Sequence, residues 1–300
     1  MAAPLHLRFH RSPSTLWNIG QALMPSPGFS GRFPDMALTW EGFRADRGRM
    51  VRWLRDFAAA TGMDGADGPP SLFLHAVSFR AHMTLITHPR FPFPVWEMLQ
   101  IRNHLLRHRP LDPHAAYRME VRTMDQRVME RGAELDLRTT LSDAAGVAWE
   151  SLNTYYHRGR HWNERPDADP PQRASPAVDG PEVVRWHTAA GGAMRFARLT
   201  GDFNPVHLWD GYARRRGYEG AFLYPQQAIG QCLVRLPGPP EPHPGQLDVW
   251  VKGPVYGGRE VRLHAAQEVE ETRFALYCGN ERRPQLVGRR KVASGPTPLP

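Results

Sequence analysis

One plan is written twice along this chain. Residues 71–160 open with an apolar, helix-like stretch at 72–86 and break at the proline-rich 91–94. They continue as alternating segments at 117–123, 133–139 and 147–155. Residues 182–300 follow suit: a short alternating piece at 183–186, helical stretches near 192–199 and 208–216, and an apolar helix over about 226–236. A proline-rich break at 237–245 and alternating segments at 247–252, 260–269, 272–278 and 285–293 complete this second copy. Period-two alternation marks half-buried strands, and apolar residues three and four apart mark helices. A helix followed by sequential antiparallel strands is an α+β layout with the helix on one face of the sheet. Two such units in one chain predict a pseudo-dimer.

The remaining segments frame these units. Residues 1–70 read as an N-terminal helical segment. Trp40 and Phe43, then Met50, Trp53, Leu54 and Phe57, recur at helical spacing, and the Gly/Asp/Pro-rich 64–70 ends the run. Residues 161–181 are polar, charged and proline-rich, the composition of a linker. With 300 residues and 41% hydrophobic content, the chain has apolar surface for a core, which excludes a disordered tail. Its two cysteines, Cys232 and Cys278, cannot staple a chain of this length, so a reducing compartment is expected. The first residues lack the apolar region of a signal peptide, and no run of roughly 18 apolar residues occurs, so we expect a soluble cytoplasmic protein.

Chemistry concentrates between residues 195 and 207, where the sequence reads RFARLTGDFNPVH. Asp202, Asn204 and His207 lie within six residues, in a loop held by Gly201 and Pro205. Such a loop brings a carboxylate and an imidazole into one small volume, where they can share a water molecule as general acid and base. On spacing alone a capped turn is the better account of these residues.

The string TGDFNPVH, preceded by RFA, resembles the hydratase-2 motif of the MaoC-like dehydratases. The resemblance covers about residues 182–293 as one hotdog unit, with 71–160 similar to the partner hotdog of two-unit members. It implies a double hotdog fold and a 3-hydroxyacyl-thioester dehydratase or (R)-specific enoyl-CoA hydratase, a hydro-lyase. By position Asp202 and His207 match the family's catalytic pair, and Asn204 the polar residue between them. The implied pair holds a water. One member accepts its proton as oxygen adds at C3, and the other supplies a proton at C2. Charge then grows on the thioester oxygen, which needs N–H donors. Neither a metal nor a redox cofactor is implied; coenzyme A or an acyl carrier protein is part of the substrate.

The chain departs from that family at one point. Where the family places His-Gly at the start of the central helix, this sequence has Tyr224-Pro225. Proline has no N–H to offer an oxyanion. With Pro225 at the first helical position, the amides of Gln226 or Gln227, or the Gln226 side chain, are the substitute donors. Losing one oxyanion donor costs about 10²–10³ in rate. The departure therefore keeps open a non-catalytic acyl-thioester binding or scaffold protein, and the fold also hosts thioesterases.

The net charge of +8 is nearly all arginine. Guanidinium groups match phosphate oxygens, and under the resemblance Arg214 and Arg215, just after the loop, become candidates for a phosphorylated carrier. No nucleic-acid module, membrane span or metal-ligand spacing is present. His104 and His108 read as neighbours on one helix face, without the glutamate of a metalloprotease motif. Arg102, Asn103 and His104 read as polar pairs at the boundary between units. A homodimer remains open.

Overall fold

In the computed structural model, residues 3–65, 68–161, 166–167, 174–241 and 244–292 are described. The chain builds an eleven-stranded sheet, with helices gathered against one face. In chain order the N-terminal part has β1 (Leu5–Phe9), α1 (Thr15–Ala22), β2 (Met36–Phe43), α2 (Arg49–Thr61) and α3 (Ser71–Ile86). Then come β3 (Met98–Arg107), β4 (Tyr117–Met129), β5 (Gly132–Asp143) and β6 (Gly146–Arg158). The C-terminal part has β7 (Glu182–His187), α4 (Ala193–Thr200), α5 (Asp210–Arg215), α6 (Pro225–Leu233), β8 (Gly245–Val251), β9 (Glu260–Gln267), β10 (Glu271–Cys278) and β11 (Leu286–Val292).

Strand order exposes the repeat. The first half runs β2-β4-β5-β6-β3 with α3 between β2 and β3. The second runs β7-β9-β10-β11-β8 with α4 to α6 between β7 and β8. Each half is a hotdog: one helical connection leaves an edge strand and returns to the opposite edge. The edges meet where β3 pairs antiparallel with β8, in a register that sets Asn103 opposite Val249 and His104 opposite Asp248. This edge-to-edge pairing makes the pseudo-dimer and removes two exposed edges.

The N-terminal segment is not all helical. Met36, Leu38 and Trp40 alternate into the core as β2, which β1 extends in parallel. Trp40 and Phe43 sit three apart because a register shift falls between them, with Gly42 at φ 66°. An extra residue in a strand puts positions three apart on one face, which imitates a helical repeat. The first strand of the N-terminal hotdog therefore lies at 36–43, within the segment read as helical. The stretch read as helical at His104 is likewise strand β3, which ends at Arg107 just before His108. It is buried from Arg102 through Arg107 and shows no clean alternation, because both of its edges are paired. Most of the expected linker, including 162–165 and 168–173, lies outside the described residues.

Every residue of α3 is buried. The sheet covers one side, and α1 and α4 press on others. Helix α2 of the first part packs on α4 and α6 of the second. At one such crossing, an added Cβ at Gly230 would lie 2.5 Å from Thr61 Cβ, so α6 requires glycine there. Polar pairs sit on the sheet's other face. Arg102 pairs with Glu134 of its own unit, and Arg127 bridges Glu134 and Asp136. His104 Nδ1 meets Asp248 Oδ1 across the unit boundary at 3.0 Å, and Arg289 holds the other oxygen of Asp248 at 2.6 Å.

Candidate active site

Helix α4 ends at Thr200, where Gly201 adopts φ 75° and its N–H returns to the Ala197 carbonyl at 2.8 Å. Left-handed geometry stops a helix sharply and favours glycine. The chain then turns through Asp202 to a 3-10 turn at Pro205–His207. Asp202 Oδ1 accepts the Asn204 N–H at 2.9 Å, and Asn204 Oδ1 accepts the Val206 N–H at 3.3 Å. The capped-turn reading and the catalytic reading thus describe the same loop: the turn bonds fix the residues that face the cavity.

Asp202, Asn204 and His207 line one cavity of about 350 Å³ between the two units. Its C-terminal wall adds Tyr224, Pro225 and Gln226; its N-terminal wall is Phe79, Met83 and Ile86 of α3 with Met98, Gln100 and Tyr155. Phe79, Met83 and Ile86 recur four and three apart, so they form one stripe of that helix. A larger open depression, about 1210 Å³, runs along Tyr277, Arg282 and Arg283 and contains none of the predicted acid–base residues. The smaller cavity is the chemically equipped one.

His207 is 9% exposed, and its Nδ1 lies 2.9 Å from the Phe222 carbonyl. A carbonyl only accepts, so Nδ1 carries the proton and Nε2 keeps its lone pair. Burial lowers the imidazole pKa below its ordinary value. The Asp202 charge and the Phe222 carbonyl oppose that shift. A neutral ring with one basic nitrogen results. Tyr224 stacks on it, with centroids 4.1 Å apart, and donates its hydroxyl to the Asp202 carbonyl at 2.7 Å.

Pro225 occupies the first turn of α6, as the sequence requires. Gln227 is committed to capping: its N–H donates to the Tyr224 carbonyl at 3.0 Å, and its Oε1 accepts the Tyr224 N–H at 3.1 Å. Gln226 lines the cavity, and its Nε2 donates to Gln100 Oε1 of the other unit at 3.2 Å. Of the two glutamines only Gln226 reaches the site. Gly201 shapes the loop but does not line the cavity, and neither do Arg214 and Arg215. Arg214, on α5, turns to the Glu219 carbonyl and to Asp210, which removes it from the cavity wall. Gln100 and Tyr155 escaped sequence reasoning because they reach the loop only through pairing of the two units. The stripe Phe79–Met83–Ile86 carried a helical period but nothing to say that it faced a cavity. Among the described residues, no group of three or more His, Cys, Asp or Glu could hold a metal ion. Nor is any described helix long and apolar enough to cross a membrane.

Fold and cavity define a double hotdog protein with an Asp/His loop at the junction of its halves. No protein-family model matches the chain. Among curated proteins it is similar to 3-hydroxyacyl-thioester dehydratase X of Mycobacterium tuberculosis. The two are 29% identical over 198 residues, 65% of this chain and 69% of that one. The crystal structure of HtdX from the same organism superposes with a TM-score of 0.70 at 22% identity, over 86% of this chain and all of that one. A MaoC-like dehydratase from Phytophthora capsici gives 0.64 at 17% identity, over 88% of this chain and 96% of that one. In fold the chain is thus similar to MaoC-like dehydratases, and in sequence to a 3-hydroxyacyl-thioester dehydratase.

Proposed function

We propose that the protein is a hydro-lyase that adds water to, or removes it from, the C2–C3 bond of an acyl thioester. The single observation that carries this reading is His207, neutral and tautomerically fixed beside Asp202 in an apolar-walled cavity. In hydration, Nε2 takes a proton from water as the water oxygen bonds to C3. The π electrons move onto the thioester, giving an enolate-like intermediate. The imidazolium returns the proton to C2, and the neutral ring is regenerated. Asp202 accepts the water's second hydrogen and stabilises the imidazolium. Dehydration runs the same steps backwards.

The developing oxyanion needs donors already in place. Gln226, second in α6, has no carbonyl four residues back within its helix, so its N–H is the donor that replaces the one Pro225 lacks. The acyl chain runs along Phe79, Met83 and Ile86. The carrier is coenzyme A or an acyl carrier protein, and neither a metal nor a redox group takes part.

The test is loss of the enoyl absorbance of crotonyl-CoA and longer enoyl-CoAs. Turnover abolished by Asp202→Asn and by His207→Ala supports the hydro-lyase. Binding without turnover at every chain length supports the second reading, an acyl-thioester binding protein, which Pro225 specifically favours. Release of free thiol with the double bond intact identifies a thioesterase.

A further inference from the structure

Arg80 stands in the middle of α3, in the N-terminal unit, and is 6% exposed. Buried arginines ordinarily pair with carboxylates. Among the described residues no carboxylate pairs with this one. Its Nε–H donates to the Leu199 carbonyl at 3.0 Å, and a terminal N–H donates to the Arg198 carbonyl. The other terminal nitrogen donates to Thr15 Oγ1 at 2.9 Å and to the Pro13 carbonyl at 3.5 Å. The Trp53 ring lies under the guanidinium, 4.1 Å from its carbon. Three segments, drawn from both units, therefore converge on one side chain.

The two carbonyls at its centre belong to the last turn of α4. Such carbonyls have no partner inside their helix and sit at the negative end of its dipole, where a cation is favoured. Two residues further on is Gly201, and a Cβ there would approach Arg80 Cγ to 3.2 Å. The backbone that leads into Asp202 thus lies flush on the arginine stem.

We propose that Arg80 is a positioning residue for the catalytic loop, reaching from the non-catalytic unit to fix where α4 ends and how Asp202 departs from it. Burial depresses the guanidinium pKa to about 10, which still leaves the group charged at neutral pH. Lysine has one point of donation where arginine has a fork, so it cannot hold both carbonyls and Thr15 together. The inference rests on the hydro-lyase reading for its kinetic arm only.

The experiment compares wild type with Arg80→Lys, Arg80→Ala and Thr15→Val, which removes one acceptor from an intact Arg80. Misplacing a catalytic group by about 1 Å costs on the order of 10² in rate. In folded Arg80→Lys we expect kcat to fall by about that factor with KM within about threefold. Added guanidinium should restore part of the activity of Arg80→Ala. Amide exchange should accelerate in residues 198–208 while β3 to β6 stay protected. A folded Arg80→Lys with wild-type kcat, or exchange that accelerates uniformly with falling thermal stability, overturns the proposal. Should the arginine variants fail to fold, Thr15→Val carries the same kinetic and exchange readouts in smaller measure. If wild type shows no turnover, the hydro-lyase reading fails. Exchange then decides Arg80 alone, where acceleration confined to 198–208 upholds it and any other pattern rejects it.

Discussion

Tyr224 lies against His207 face to face, with ring centroids 4.1 Å apart and planes inclined by 27°. The same tyrosine donates its hydroxyl to the Asp202 backbone at 2.7 Å. One side chain therefore fixes both members of the proposed acid–base pair. Tyr224→Phe keeps the stacked ring and removes the hydroxyl. A hydrogen bond of this kind is worth about 1 kcal/mol net. We expect kcat to fall by about fivefold and KM to change little, as steady-state kinetics with an enoyl-CoA will show.

Burial lowers the His207 pKa, and the Asp202 charge raises it again. The reaction in the hydration direction needs the neutral ring. Its acid limb therefore lies below the ordinary histidine value near 6.5. Asp202→Asn removes the opposing charge, so the ring pKa of His207 should fall further. A ring titration followed by NMR checks the direction independently of turnover.

His75 is wholly buried in α3, and burial holds its pKa down to about 3. The folded chain then binds fewer protons here than the unfolded chain at any pH between that value and about 6.5. Stability must fall as pH drops through that window and must be fully present above it. Thermal midpoints measured from pH 7.5 down to pH 5 should decline, and His75→Gln should flatten the decline.

Met83 forms part of the cavity wall between Phe79 and Ile86 on α3. Shortening it lengthens the space for an acyl chain. One methylene in an apolar pocket is worth roughly 1–3 kcal/mol of discrimination. Met83→Ala should raise kcat/KM for long over short enoyl-CoAs by at least about tenfold. An unchanged chain-length profile would mean that the acyl group takes another path.

Asp248 has no exposed side-chain surface; it holds His104 across the junction of the two halves and Arg289 within its own half. Removing one partner of a buried ion pair costs about 3–5 kcal/mol. Arg289 is 28% exposed and can turn to water, so Asp248→Ala should sit near about 3 kcal/mol, measured by denaturant unfolding.

The sequence by itself determined the Asp/His loop and the repeat. The loop is local: Gly201, Asp202, Asn204 and His207 are close in the chain, and turn bonds shape it from within. The strands β4 to β6 and β8 to β11 are legible for a similar reason, since alternation is a property of each segment alone. Only the tertiary structure decided what surrounds the loop. Trp40 and Phe43 read as helical because a bulge mimics a helical period, and β3 hid because two paired edges erase alternation. Arg214 turned away from the cavity, Gln227 was consumed in capping, and Gln100, Tyr155 and Arg80 came in from the other unit. Such placements depend on contacts between residues about a hundred positions apart, such as Arg80 with Leu199. No local pattern of side chains encodes them; they arise when the β3 and β8 edges pair and bring the two helical layers together.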